Sequence, residues 1–119
     1  MDMQLGAVEA RFADIIWAYA PMTSAELVRR AQEALGWKKS TTYTVLKRLC
    51  DKGIFQNNNG TVSSLISRQE FFALQSERFV ADTFAGSLPA FLAAFSSRKK
   101  LSAEEVTKLR EMVAAYEEE

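Results

Sequence analysis

The chain has 119 residues, fifteen Lys+Arg against fifteen Asp+Glu, no His and one Cys. That length suits one domain, or a small head with an appendage. The missing His and lone Cys exclude Ser-His and Cys-His catalysis, His-ligated metals, intramolecular disulfides and Cys-cluster zinc sites. Eight Phe, three Tyr and two Trp supply a core, so an ordered fold is expected. The longest uncharged stretch, residues 83–97, holds Gly86 and Pro89 and falls short of the ~20 apolar residues of a membrane span. Met1-Asp2-Met3-Gln4 opens no basic-then-apolar leader, so a cytoplasmic protein is expected.

Val8, Phe12, Ile15, Ile16 and Tyr19 recur at helical spacing and predict a helix over 5–20 that stops before Pro21. Thr23-Ser-Ala-Glu26 is a capping-box pattern, and it opens a second helix with Leu27, Val28, Ala31, Ala34 and Leu35 on its apolar stripe. Gly36 suits that helix's C-terminal end. A third helix is predicted over 40–52, with Val45, Leu46 and Leu49 facing inward and Thr41, Thr44 and Arg48 together on another face. Residues 54–56 and 61–66 flank the polar turn 57–60 as a small hairpin. Ser67-Arg-Gln-Glu70 opens a fourth helix with Phe71, Phe72, Leu74, Phe79 and Phe84, broken at Gly86-Ser87. A fifth is predicted over 88–95, followed by a polar link over 96–100. Ser102-Ala-Glu-Glu105 opens the sixth, with Val106, Leu109, Met112, Val113 and Tyr116 in register, and residues 117–119 read as a frayed tail.

Three helices followed by a hairpin is the plan of a winged helix-turn-helix. The expected fold is mainly α with a small β-hairpin wing: a winged helix-turn-helix head over 1–66 and a helical dimerisation region over 67–119.

Placed along the chain, the charges no longer cancel. Residues 29–52 carry seven basic groups against two acidic, a net of +5, while residues 71–119 carry six basic and eight acidic, a net of −2. A basic stripe on the third helix is the electrostatic footprint of phosphate binding; the alternative is a solvated charged face. Ser40, Thr41, Thr42 and Thr44 disfavour a buried helix and suit short contacts to phosphates and base edges. Tyr43 reaches a phosphate or a thymine methyl, or else covers the edge of the core. Lys47 and Arg48 lie late on the helix, as backbone clamps do. With Lys38 and Lys39 these residues form the expected DNA face. Trp37 reads as a core plug between helices, and Cys50 as a small packed residue.

The motifs Glu9-x-x-Phe12-x-x-Ile15-Ile16-Trp17, Thr23-Ser-Ala-Glu-Leu27, Trp37-x3-Thr41-x2-Thr44-Val-Leu-x-Arg48-Leu49-x2-Lys52-Gly53 and Leu65-Ile-Ser-Arg-Gln-Glu-Phe71 resemble the penicillinase-repressor family. The resemblance covers nearly the whole chain and is strongest over 8–53. It implies a dimeric repressor whose heads each read half of a pseudo-palindromic operator in double-stranded DNA, through positions matching Thr41, Thr44 and Arg48. In that family's resistance operons a membrane-embedded sensor metalloprotease leads to repressor cleavage at an Asn-Phe bond. The best match here is Ala94-Phe95. The copper-responsive branch's Cys-x-Cys cluster is absent, so no metal and no cofactor is expected. Thr61 stands where the resemblance puts a basic residue of the wing.

The dimer is also expected from physics. Phe72, Phe79, Phe84, Leu88, Phe91, Leu92, Phe95, Val106, Leu109, Met112 and Val113, together with Phe71 and Leu74, are more apolar surface than three helices trailing a small head can cover. An identical chain on a twofold axis is the simplest cover, and folding back on the head is the alternative. Two other function classes compete. A winged-helix protein-interaction module without DNA binding would use the same fold. An enzyme lacks support, with no His and no Gly-rich phosphate loop.

Overall fold

A computed structural model describes residues 4–118. Residues 1–3, on which most of the leader reading rests, and Glu119 of the expected tail lie outside the described residues. The elements run α1 (Ala7–Tyr19), β1 (Met22–Thr23), α2 (Ser24–Leu35), α3 (Lys39–Asp51), β2 (Phe55–Asn58), β3 (Thr61–Ser64), α4 (Arg68–Phe84), α5 (Leu88–Arg98) and α6 (Ala103–Glu117). They form two compact units, dividing after Arg78. The head therefore extends past the expected boundary at residue 66 and takes in the first turns of α4.

The cause is Phe71. Its side chain is fully buried with Phe12, Ile16, Leu27, Leu46, Leu49, Ile54, Phe55 and Val62. Phe72 packs against the edge of that core, its ring 5.4 Å from Phe71 and 6.1 Å from Trp17. Of the expected apolar dimer surface, Phe71 therefore closes the head instead, while Phe72 lines the head's edge and stays partly exposed. Trp17 ties this together. Its ring meets Phe55 and Phe71, and its indole N–H donates to the Ile66 carbonyl at 3.0 Å. One side chain thus joins α1, the wing and the start of α4, with its polar handle satisfied. Trp37 stacks on Phe12 at 4.9 Å, the expected plug.

The inward face of α1 is Phe12, Ala13 and Ile16, and the outer members of the predicted stripe miss it. Val8 and Tyr19 are half-exposed, and the Tyr19 ring instead carries the Arg30 guanidinium 3.6 Å from its centroid. At Thr23 only the forward half of the capping box forms as drawn: its hydroxyl accepts from the Glu26 N–H at 3.1 Å. The Glu26 carboxylate turns to Arg30. Gly36 ends α2 at φ 69°, a left-handed residue whose N–H reaches back to the helix's last turn.

The wing is part of a three-stranded antiparallel sheet in the order β1-β3-β2. Asn58 pairs with Thr61, so the loop is the two residues Asn59-Gly60. Both have positive φ, 53° and 88°, as a twist-matched hairpin loop requires. The strand β1 was not expected: Met22 pairs with Val62 and Thr23 with Thr61, with Met22 buried beneath.

In the second unit, Phe79, Phe84 and Phe91 meet edge-on with centroids 5.6–6.0 Å apart, and Phe95 lies 6.2 Å from Phe91. The fifth helix runs to Arg98, through most of the stretch expected as a polar link. Ser96 and Ser97 donate back to the Leu92 and Ala94 carbonyls within its last turns, so their hydroxyls are satisfied without ending the helix. At α6 the capping box is complete, with Ser102 and Glu105 exchanging bonds of 3.0 Å, and the helix includes Glu117 of the expected tail. No residue of α5 or α6 is buried. No single helix among the described residues is long and apolar enough to cross a membrane.

Candidate nucleic-acid interface

The third helix is anchored by a stripe at i, i+3, i+4 and i+7: Thr42, Val45, Leu46 and Leu49, all buried. That register decides which of its other side chains face solvent. Lys38, Lys39, Ser40, Thr41, Tyr43, Thr44, Lys47 and Arg48 lie on the exposed side. Thr42 does not. It is 1% exposed, and its hydroxyl donates to the Lys38 carbonyl at 3.2 Å. The expectation that Thr42 touches DNA is corrected: it falls on the core stripe, and its hydroxyl is spent on the helix's own first turn.

The exposed residues differ in what remains available. The Thr41 hydroxyl has no partner among the described residues. The Thr44 hydroxyl donates back to the Ser40 carbonyl at 2.9 Å, leaving its methyl and lone pairs to face outward. The Tyr43 hydroxyl donates to Ser24 Oγ at 3.1 Å, while the Ser24 N–H donates to the Gly60 carbonyl at the wing tip at 2.8 Å. Ser24 therefore couples the exposed face of α3 to the hairpin turn. Sequence reading gave Ser24 no role beyond its place in a cap pattern, because both partners are remote in the chain.

The charges are also rearranged by the fold. Glu26 pairs with Arg30 at 3.1 Å and with Arg29 at 3.8 Å, and Asp51 pairs with Lys47 at 3.3 Å. Glu9, from α1, pairs with Arg48 at 3.2 Å. Two of these acids lie outside the 29–52 window, so the +5 counted along the sequence overstates the local field. Lys52 donates to the Gln4 carbonyl at 2.7 Å. Lys38 and Lys39 carry no ion pair among the described residues. They flank the start of α3, which has no side-chain cap and no acid in its first turn. Cations there oppose the helix dipole and cost about 0.3–1 kcal/mol each unless an anion sits nearby. A phosphate at this point would satisfy both the free N–H groups and the lysines.

The other candidates are quieter. Burial, with Asp51 nearby, pushes the Cys50 thiol up, toward an unreactive neutral group. Among the described residues no three His, Cys, Asp or Glu side chains gather as a metal site.

The penicillinase repressor family model matches residues 5–115. The chain belongs to the penicillinase repressor family. Penicillinase repressor from Bacillus licheniformis is 22% identical over 117 residues, covering 95% of this chain and 91% of that protein. The methicillin resistance regulatory protein MecI of Staphylococcus aureus is 21% identical over 114 residues, 92% and 93% of the two chains. The match to the penicillinase repressor family spans the winged-helix head and nearly all of the C-terminal helices, so it concerns the whole architecture and not the helix-turn-helix alone. Identity this low leaves individual contact residues to be argued from their own geometry.

Proposed function

We propose that the protein is a sequence-specific, DNA-binding transcriptional repressor acting as a homodimer on a pseudo-palindromic operator. The observation that carries the reading is the outer face of α3. Two unpaired lysines stand at an uncapped helix start, followed by exposed hydroxyls and then Lys47 and Arg48. Short polar side chains near the N-terminus suit base edges and phosphates, and long basic ones further along suit the flanking backbone. The face comprises Lys38, Lys39, Ser40, Thr41, Tyr43, Thr44, Lys47 and Arg48. The hairpin, with Thr61 in place of a basic residue and no Lys or Arg over 55–64, adds little to phosphate binding.

The dimer is supported by the second unit, where Leu88 is 57% exposed, Met112 65% and Val113 59%. With Phe79, Phe84, Phe91, Leu92, Phe95, Val106 and Leu109 these residues form the surface a second chain would cover. Release by a membrane sensor metalloprotease belongs to the same reading. The Ala94-Phe95 bond lies within α5, so a protease cutting there would first have to open that helix.

The experiment is a titration of the protein against duplex from the region upstream of its own gene, at several salt concentrations. Affinity should fall steeply with salt. Arg48→Ala should weaken binding about tenfold or more and lower the salt slope by about one, with the melting curve little changed. Thr44→Ala should weaken it without changing the slope. A flat salt dependence with no mobility shift would favour a winged-helix protein-interaction module instead.

A further inference from the structure

One acid sits among the cations of this face, and its placement asks for a reason. Glu9 lies in the first turn of α1, thirty-nine residues before Arg48 in the chain. Its two carboxylate oxygens are engaged separately. Oε1 accepts from the Gly6 N–H at 3.3 Å, and Oε2 meets Arg48 Nη1 at 3.2 Å. The positive end of α1 and the Gly6 amide hold the carboxylate whether or not Arg48 is present. Glu9 is the more sheltered partner, its side chain 22% exposed against 53% for Arg48. Lys47 and Asp51, by contrast, sit one turn apart on a single helix, 79% and 68% exposed.

A carboxylate beside a phosphate-binding surface weakens attraction to every DNA sequence alike. What it offers in return is orientation. A guanidinium is a planar fork with five donors. Glu9 engages one of them, at Nη1, and leaves the rest of the half-exposed fork available, with its own carboxylate fixed by the start of α1. Resting on the DNA-binding reading above, we propose that Glu9 is a positioning residue for Arg48. It fixes the fork for one backbone contact that sets the register of α3 on the base edges, and takes its charge out of indiscriminate phosphate attraction. Glu9 thereby trades total affinity for discrimination between the operator and other DNA.

The test measures binding to upstream duplex and to a scrambled duplex of equal length, across salt, for wild type, Glu9→Gln, Glu9→Asp, Arg48→Ala and the Glu9→Gln/Arg48→Ala double variant. Thermal melts check that each is folded. Glu9→Gln should bind scrambled DNA several-fold more tightly, with a salt slope steeper by up to about 0.9, and its preference for upstream DNA should drop several-fold. Glu9→Asp keeps the charge but not the reach, so its salt slope should stay wild-type while its preference drops. In the Arg48→Ala background, Glu9→Gln should leave the preference unchanged. An unchanged preference in Glu9→Gln, or an equal drop with and without Arg48, overturns the positioning role. A wild type that does not prefer upstream DNA overturns the DNA-binding reading itself, and this inference with it.

Discussion

Four hydroxyl residues crowd the start of α3, and the fold gives them different work. Thr41 faces solvent, Thr44 is exposed but bonded back to its own helix, and Thr42 is buried. The spacing already contains this distinction, since 42, 45, 46 and 49 form a single stripe. Grouping the hydroxyls by composition hid it. The consequence is a pair of substitutions with opposite outcomes. Thr42→Val keeps the buried volume and loses only the bond to the Lys38 carbonyl, which still accepts the residue-42 N–H at 3.0 Å. Its stability should change by no more than about 1 kcal/mol, and its DNA affinity should be unchanged. Thr41→Ala should melt like the wild type and bind several-fold more weakly. Urea unfolding and a binding titration on the same preparations compare the two. Equal loss of binding in both variants would place Thr42 back on the DNA face.

Among the elements, the sixth helix shows how much local chemistry can be read from four letters. The Ser102–Glu105 box forms with both bonds, and hydrogen bonds from the Ser102 backbone and side chain pull the Glu105 carboxyl below its ordinary value of 4.5. A depressed carboxyl stabilises the folded form above the ordinary value and loses that contribution as pH falls through the lowered one. Amide protection at the start of α6, taken relative to the intrinsic exchange rate at each pH, should therefore fall on acidification below about pH 4.5 in the wild type. Ser102→Ala should lower that protection already at neutral pH, because the hydroxyl that accepts from the Glu105 N–H is gone, and should keep most of the acid dependence, because the backbone N–H that chiefly depresses the carboxyl remains. Glu105→Gln removes the titrating group, and an acid response that survives it would assign the response elsewhere. The six helices and the hairpin were legible because period and caps are local signals. The strand β1 was not, since two residues carry no periodicity and pair with β3 only once the wing has folded. Phe71 and Phe72 read as part of a Phe-rich tail, for helical spacing cannot say which core a face will meet. The pairing of Glu9 with Arg48 and the Tyr43–Ser24–Gly60 chain were invisible for the same reason: each joins elements that the sequence separates.

At the scale of the whole molecule, the neutral net charge combines a head that keeps its unpaired lysines on one helix end and a C-terminal unit with acidic excess and no buried residue in α5 or α6. That unit exposes a mainly apolar groove of about 340 Å³ lined by Leu101, Val106, Leu109, Val113 and Ala114, with Arg110 and Glu117 at its rim. Apolar area left in water costs about 25 cal/mol per Å², so a second copy covering this face is the simplest stable state. In the proposed homodimer, pairing of the two heads acts on binding through linkage. Once one head is seated on a half-site, the other is held at an effective concentration set by the connection between them, and pairing raises affinity by roughly 10²–10⁴ without any new contact. Val113→Asp would place a charge in the surface that the proposed dimer covers, where it could find neither water nor a partner. It should sediment as a monomer at concentrations where the wild type is a dimer. Its affinity for a duplex with both half-sites should fall by roughly 10²–10⁴, while its affinity for a single half-site stays that of the wild type, because α3 is untouched. Met112→Asp, one residue away and more exposed, provides an independent check. A Val113→Asp chain that remains dimeric would move the interface off α6. A monomeric one that binds the full site as tightly as the wild type would mean that the two heads do not act together on DNA.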